Sequence, residues 1–200
     1  MKLASVLVEK AVEQSIVSSD EKSLYIYAIE NMLFSACTWL TLIIMGIIED
    51  CLLYCILFIA SYVPLRVFAG GFHLGTRTRC YLYSLVVFVT LILGCKYCAS
   101  SPQSTVDYMI TAAATVVIFL LSPVADLNKP LSETERQHSM KMTRIILLLN
   151  LAAILLFERQ IKNTYITFFL VASIRLVAIQ LILGILRNKY LLFKQSGIVV

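Results

Sequence analysis

Six long apolar runs, separated by short polar connections, constrain the fold of this 200-residue chain more than any other feature. A helix needs roughly 17–25 apolar residues to cross a bilayer. All but one of the runs reach that length; the shorter run, at 142–157, also contains Arg144 and is expected to be the least secure span. The pattern predicts an all-α, polytopic membrane protein with about six transmembrane helices. The runs are 25–48, 51–68, 80–98, 105–124, 142–157 and 164–186.

The composition supports this reading, because 60% of the residues are hydrophobic and only 14% are charged. Soluble domains are about 45–50% apolar. The net charge of +5 comes from residues that lie between the apolar runs, as topology signals do. We therefore expect a lipid bilayer as a partner and no nucleic acid. A single integral membrane domain over 1–200 is predicted.

The first 23 residues form an amphipathic pattern at helical spacing. We expect 1–23 to be an interfacial helix in front of a transmembrane bundle at 24–200. Charged residues at positions 9, 10 and 13 argue against a cleaved signal peptide. The apolar face holds Ala4, Leu7, Val8, Ala11, Val12 and Ile16, and the polar face holds Lys2, Glu9, Lys10, Glu13 and Gln14.

Basic residues concentrate in the second and fourth connections and in the C-terminal tail. By the positive-inside rule these segments face the cytoplasm. Six spans with both termini inside satisfy this rule, and they place the connection at 65–79 on the cytoplasmic side.

The two residues best suited to catalysis are His73, within that connection, and Cys80, the first residue after it. An imidazole can take the proton of a thiol, and the ionised thiol is the nucleophile. On one straight helix the two residues would lie about 10 Å apart. Gly70, Gly71 and Gly75 favour a loop or broken helix that removes this difficulty. The alternative interpretation is an interfacial histidine and a buried thiol.

Several neighbouring residues have more than one interpretation. Arg66 is a topology charge, a partner of Asp126, or a clamp on an acidic substrate segment. Arg77 and Arg79 either attract such a segment or anchor the chain at the membrane surface. Ser84, one helical turn beyond Cys80, either faces the site or lines its helix. We expect Cys80 at the start of the third spanning helix, with a threonine at 76 or 78 as the cap.

Other polar residues favour structural roles. Arg175 lies within an apolar run, where we expect it to pair with a residue such as Glu30. Cys95 and Cys98 have C-x-x-C spacing but no second such pair, and His138 lies in a polar connection. We expect no metal and no cofactor, because H-E-x-x-H is absent and the two histidines lie in different connections.

Two motifs resemble those of the accessory gene regulator B (AgrB-like) family, the quorum-sensing membrane endopeptidases of Gram-positive bacteria. The first is Arg66-x-x-Ala69-Gly70-Gly71-x-His73, with Cys80 seven residues further on. The second resembles the motif of the family's second cytoplasmic loop and reads Leu121-Ser122-Pro123-Val124-Ala125-Asp126-x-Asn128-Lys129-Pro130.

The resemblance implies a cysteine endopeptidase with Cys80 as nucleophile and His73 as base. Its substrate is a short AgrD-like pheromone propeptide, which a thioester acyl-enzyme converts to a thiolactone or lactone. Asp126 and Asn128 either orient the histidine or cap a helix end, and Lys129 belongs to the second motif. The resemblance also suggests a homodimer. The alternative function is a non-enzymatic peptide exporter subunit, which needs the six spans but not Cys80.

Overall fold

The computed structural model describes residues 2–72, 76–98, 104–125, 131–161 and 163–195. Within these ranges the chain is helical, without a β-strand, which confirms the predicted all-α polytopic membrane protein. A short 3-10 turn at Ser19–Glu21 precedes α2, and a π-helical turn at Phe157–Ile161 follows α6. The helices are α1 Lys2–Glu13, α2 Lys22–Ile48, α3 Leu52–Ala69, α4 Arg77–Cys98, α5 Thr105–Leu121, α6 Glu133–Leu156 and α7 Thr164–Gln195.

The central helix is α7, which packs against α3, α4, α5 and α6. Its side chains Phe169, Ile174, Val177 and Leu181 are fully buried. The outer helices instead expose large apolar side chains, as lipid-facing surfaces do, and Leu120 on α5 is an example at 70% exposure. The apolar runs therefore form a bundle around α7.

The structure corrects which span is the shortest. Five described helices are long and apolar enough to cross a membrane, and α6 is one of them because it begins well before the run at 142–157. The short apolar helix is α5, with 17 residues. Pro123 disfavours helical geometry at Ser122, so α5 ends at Leu121 and not at 124. The guanidinium of Arg144 lies 4.4 Å from the ring centre of Phe119, a contact that helps α6 to accommodate the charge.

The N-terminal helix packs on α2 through part of its apolar face. Ala4 and Val8 are buried there, and Glu9 pairs with Lys22 at 3.0 Å. Leu7 and Ile16 remain 47% and 71% exposed, which leaves an apolar surface for the membrane interface. The helix ends at Glu13, before the predicted limit at residue 23.

Arg175 pairs with α5 and not with the expected residue of α2. Its Nη1 lies 3.2 Å from Oδ1 of Asp107, and its Nε donates to the hydroxyl of Thr111 at 3.1 Å. The expectation that Glu30 is its partner is wrong, because α5 is the helix that packs along this part of α7. An arginine inside an apolar helix thus meets a carboxylate within the bundle.

Candidate active site

The segment Gly70, Gly71 and Phe72, which follows α3, lies against the residues that follow α5. Gly70 and Val124 form an isolated parallel bridge. The N–H of Val124 donates to the carbonyl of Ala69 at 2.9 Å, and the N–H of Gly71 donates to the carbonyl of Val124 at 3.0 Å. The two motifs that are distant in the sequence are therefore bonded to each other.

The same segment contacts the backbone of α7 on its other side. The N–H of Phe72 donates to the carbonyl of Gln180 at 2.8 Å. A Cβ atom on Gly71 would lie 2.8 Å from that carbonyl oxygen, and φ is +107° at this residue. At Gly70, φ is +72° and a Cβ atom would lie 2.2 Å from the carbonyl oxygen of Val124. Only glycine fits both positions.

Arg66 binds the segment from within α3. Its Nη1 donates to the carbonyl of Gly70 and its Nη2 to the carbonyl of Phe72. A planar guanidinium can hold two acceptors at once, so one side chain determines the path of three residues. This contact differs from all three interpretations of Arg66 that the sequence allowed. The side chain binds the backbone of the segment that follows α3.

Cys80 lies in the first turn of α4 and its side chain is exposed. The N–H of Cys80 donates to the carbonyl of Thr76, and the N–H of Arg79 donates to the Thr76 hydroxyl at 3.4 Å. Thr76 therefore caps the helix, and the interpretation of Cys80 as a buried thiol is wrong. Cys80 follows Phe72 by eight residues, so the thiol lies at the end of the bundle where the segment is bound.

Some of the remaining predicted site residues lie on α4, and the others lie outside the described residues. The hydroxyl of Ser84 donates to the carbonyl of Cys80 at 3.0 Å, as a serine does within its own helix. Arg77 is the first residue of α4, and Arg79 is exposed. Four predicted residues lie outside the described residues, and their roles stay predictions: His73, Asp126, Asn128 and Lys129.

The motif analysis missed three residues of α7 that hold these segments. Gln180 accepts the Phe72 N–H through its carbonyl, and its side chain accepts from the hydroxyl of Tyr62 at 2.9 Å. Gly184 lies against Gly71 and Phe72, and the side-chain amide of Asn188 donates to the carbonyl of Ala125 at 2.8 Å. Their spacing of four residues along an apolar helix is the signal that could have revealed them.

Residues 1–183 match the family model described as Accessory gene regulator B. The chain belongs to the AgrB family. The resemblance to this family is thereby confirmed, and AgrB membership supports a role in quorum-sensing peptide processing at the membrane. No curated protein and no solved structure matches the chain.

Proposed function

We propose that this AgrB protein is a membrane cysteine endopeptidase that cleaves a short propeptide and helps to cyclise the product. The observation that carries the proposal is the exposed Cys80 at the start of α4, at the same end of the bundle as the bound segment Gly70–Phe72. His73 follows Phe72 directly in the sequence. A cysteine and a histidine in this order supply a nucleophile and its base.

In the first step the thiol of Cys80 attacks the carbonyl carbon of the scissile bond, and its proton passes to the imidazole of His73. The tetrahedral intermediate then breaks the C–N bond. The imidazolium returns the proton to the leaving amine. The products are a thioester on Cys80 and the released C-terminal part of the propeptide.

In the second step a cysteine thiol or serine hydroxyl of the bound peptide attacks the thioester carbonyl. The Cys80 thiol is regenerated, and the peptide closes to a thiolactone or a lactone. Exchange of one thioester for another changes the free energy very little. Water must therefore be excluded from the acyl-enzyme for the ring to form. A site among helix ends at the membrane surface suits this requirement.

Arg66 has two tasks in this proposal. It holds the carbonyls of Gly70 and Phe72, and its charge favours negative charge that develops at Cys80. The N–H groups of Arg79 and Cys80 already donate to Thr76, which leaves electrostatic stabilisation to a cation such as Arg66. Asp126 or Asn128 orients the histidine. Lys129, Arg77 and Arg79 attract an acidic propeptide segment.

The test is cleavage of the propeptide in membranes that contain Cys80→Ala or His73→Ala. We expect each substitution to abolish cleavage while the protein remains in the membrane at the level of the unsubstituted chain. Cys37→Ala and His138→Ala are matched controls, because Cys37 and His138 are also exposed. Full cleavage by Cys80→Ala would contradict the proposal and favour the exporter subunit.

A further inference from the structure

Three residues that lie along one stripe of α7 each contact a segment of the site. Gln180, Gly184 and Asn188 are spaced by four residues, which places them on one face of the helix over about 12 Å. Gln180 and Gly184 are buried and Asn188 is half-buried. We name this stripe the α7 dock.

We propose that the α7 dock positions both catalytic connections, and that Gly184 and Asn188 are positioning residues for the endopeptidase reaction. The inference rests on the proposed function, because it assigns a task to residues around the same site. Residue 184 and residue 188 lie beyond position 183, where the family match ends. The family assignment therefore says nothing of them.

The first contact of the dock requires that position 184 has no side chain. A Cβ atom there would lie 2.7 Å from the carbonyl carbon of Gly71 and from the nitrogen of Phe72. Both atoms belong to backbone, so neither can rotate away. Glycine allows the N–H of Phe72 to reach the carbonyl of Gln180 at 2.8 Å. The chain then continues from Phe72 into His73.

The second contact holds the other connection. The amide of Asn188 donates to the carbonyl of Ala125 at 2.8 Å, and the chain continues from Ala125 into Asp126. The bridge between Gly70 and Val124 joins the two connections directly. His73 and Asp126 therefore each follow a residue whose backbone α7 holds. A misplacement of about 1 Å in such a site lowers rates by about 100-fold.

The experiment measures alkylation of Cys80 by iodoacetamide at neutral pH, relative to Cys37 in the same molecule. Gly184→Ala is expected to lower this ratio to the value found for His73→Ala, since the loop backbone must move. Gly94→Ala is the matched control, because a Cβ atom at Gly94 meets only the ring end of Phe168 at 3.2 Å. It should leave the ratio unchanged. Partial unfolding would instead expose the buried Cys55 and raise its labelling.

Asn188 provides a second, milder test that does not depend on Gly184→Ala folding. Asn188→Leu and Asn188→Asp both remove the donor, one without and one with a charge, and each should slow propeptide cleavage about tenfold. Unchanged cleavage in both variants, or an unchanged labelling ratio in a membrane-inserted Gly184→Ala, overturns the inference. The proposed function fails separately, when Cys80→Ala still cleaves or when His73→Ala leaves the labelling ratio unaltered.

Discussion

At the scale of single residues, Arg66 shows that a charged side chain in an apolar bundle can bind backbone carbonyls. Its described contacts include no carboxylate. Its guanidinium donates to the carbonyls of Gly70 and Phe72, which lie two residues apart on an irregular segment. Buried carbonyls need donors, and a charged donor forms the stronger bond. The arginine thus supplies hydrogen-bond donors to the carbonyls of the segment that the two glycines bend.

Arg66→Lys tests whether geometry or charge matters at this position. An ammonium keeps the positive charge but does not present the planar pair of donors that two carbonyls require. We expect propeptide cleavage to fall at least about tenfold, together with iodoacetamide labelling of Cys80. Arg159→Lys, at an exposed arginine in the π-helical turn, is the control and should behave as the unsubstituted chain. Full activity of Arg66→Lys would show that its charge alone suffices.

At the scale of helices, α5 and α7 are joined by a polar contact as well as by apolar packing. Arg175 donates to Asp107 and Thr111, and Asp107 also belongs to the capping box that begins α5 with Ser104. The Asp107 carboxylate therefore stabilises the N-terminus of α5 and also the positive charge of Arg175 on α7. The short helix α5 is held at its first turn.

Removal of either charge should destabilise the bundle moderately. The side chains of Arg175 and Asp107 are 26% and 37% exposed, so solvent screening reduces the effect below that of a fully buried pair. For Arg175→Met or Asp107→Asn we expect about 1–2 kcal/mol, which lowers Tm by about 2–8 °C. Thermal unfolding in detergent measures this, with Arg159→Met as control. The double variant should lose less than the sum of the two; an additive result would argue against direct coupling.

At the scale of the whole molecule, the described contacts separate two ends of the bundle. One end carries Cys80, the bound segment Gly70–Phe72 and Asn188. The other end carries the turn between α2 and α3, where Glu49 pairs with Lys96 of α4. From the distribution of basic residues we predict that the first end faces the cytoplasm, where a newly made propeptide is present.

This orientation can be tested with single cysteines in a chain whose native cysteines have been replaced. Thr105→Cys and Thr134→Cys lie at the exposed starts of α5 and α6. A membrane-impermeant maleimide should label Thr105→Cys on intact cells and Thr134→Cys only after permeabilisation. The reverse result would place the candidate site outside the cell.

Much of the helix architecture could be read from the sequence, because hydrophobic runs and capping residues act locally. Ser104 and Ser132 begin α5 and α6 with the bonds that their side chains favour, and Thr76 caps α4. The partner of Arg175 could not be read in this way. Asp107 and Glu30 both lie within or beside apolar runs, and only the packing of α5 on α7 distinguishes them.

The sequence by itself determined that the chain is a membrane helix bundle, that it is related to the AgrB proteins, and that a Gly-Gly segment precedes the candidate histidine. These properties depend on composition and on short motifs. Only the tertiary structure decided why the glycines are needed and which helix holds them. Gly71 must pass against the carbonyl of Gln180, and Gly184 must leave room for it. Such close approach between distant backbones depends on how the helices pack, and no local pattern records it.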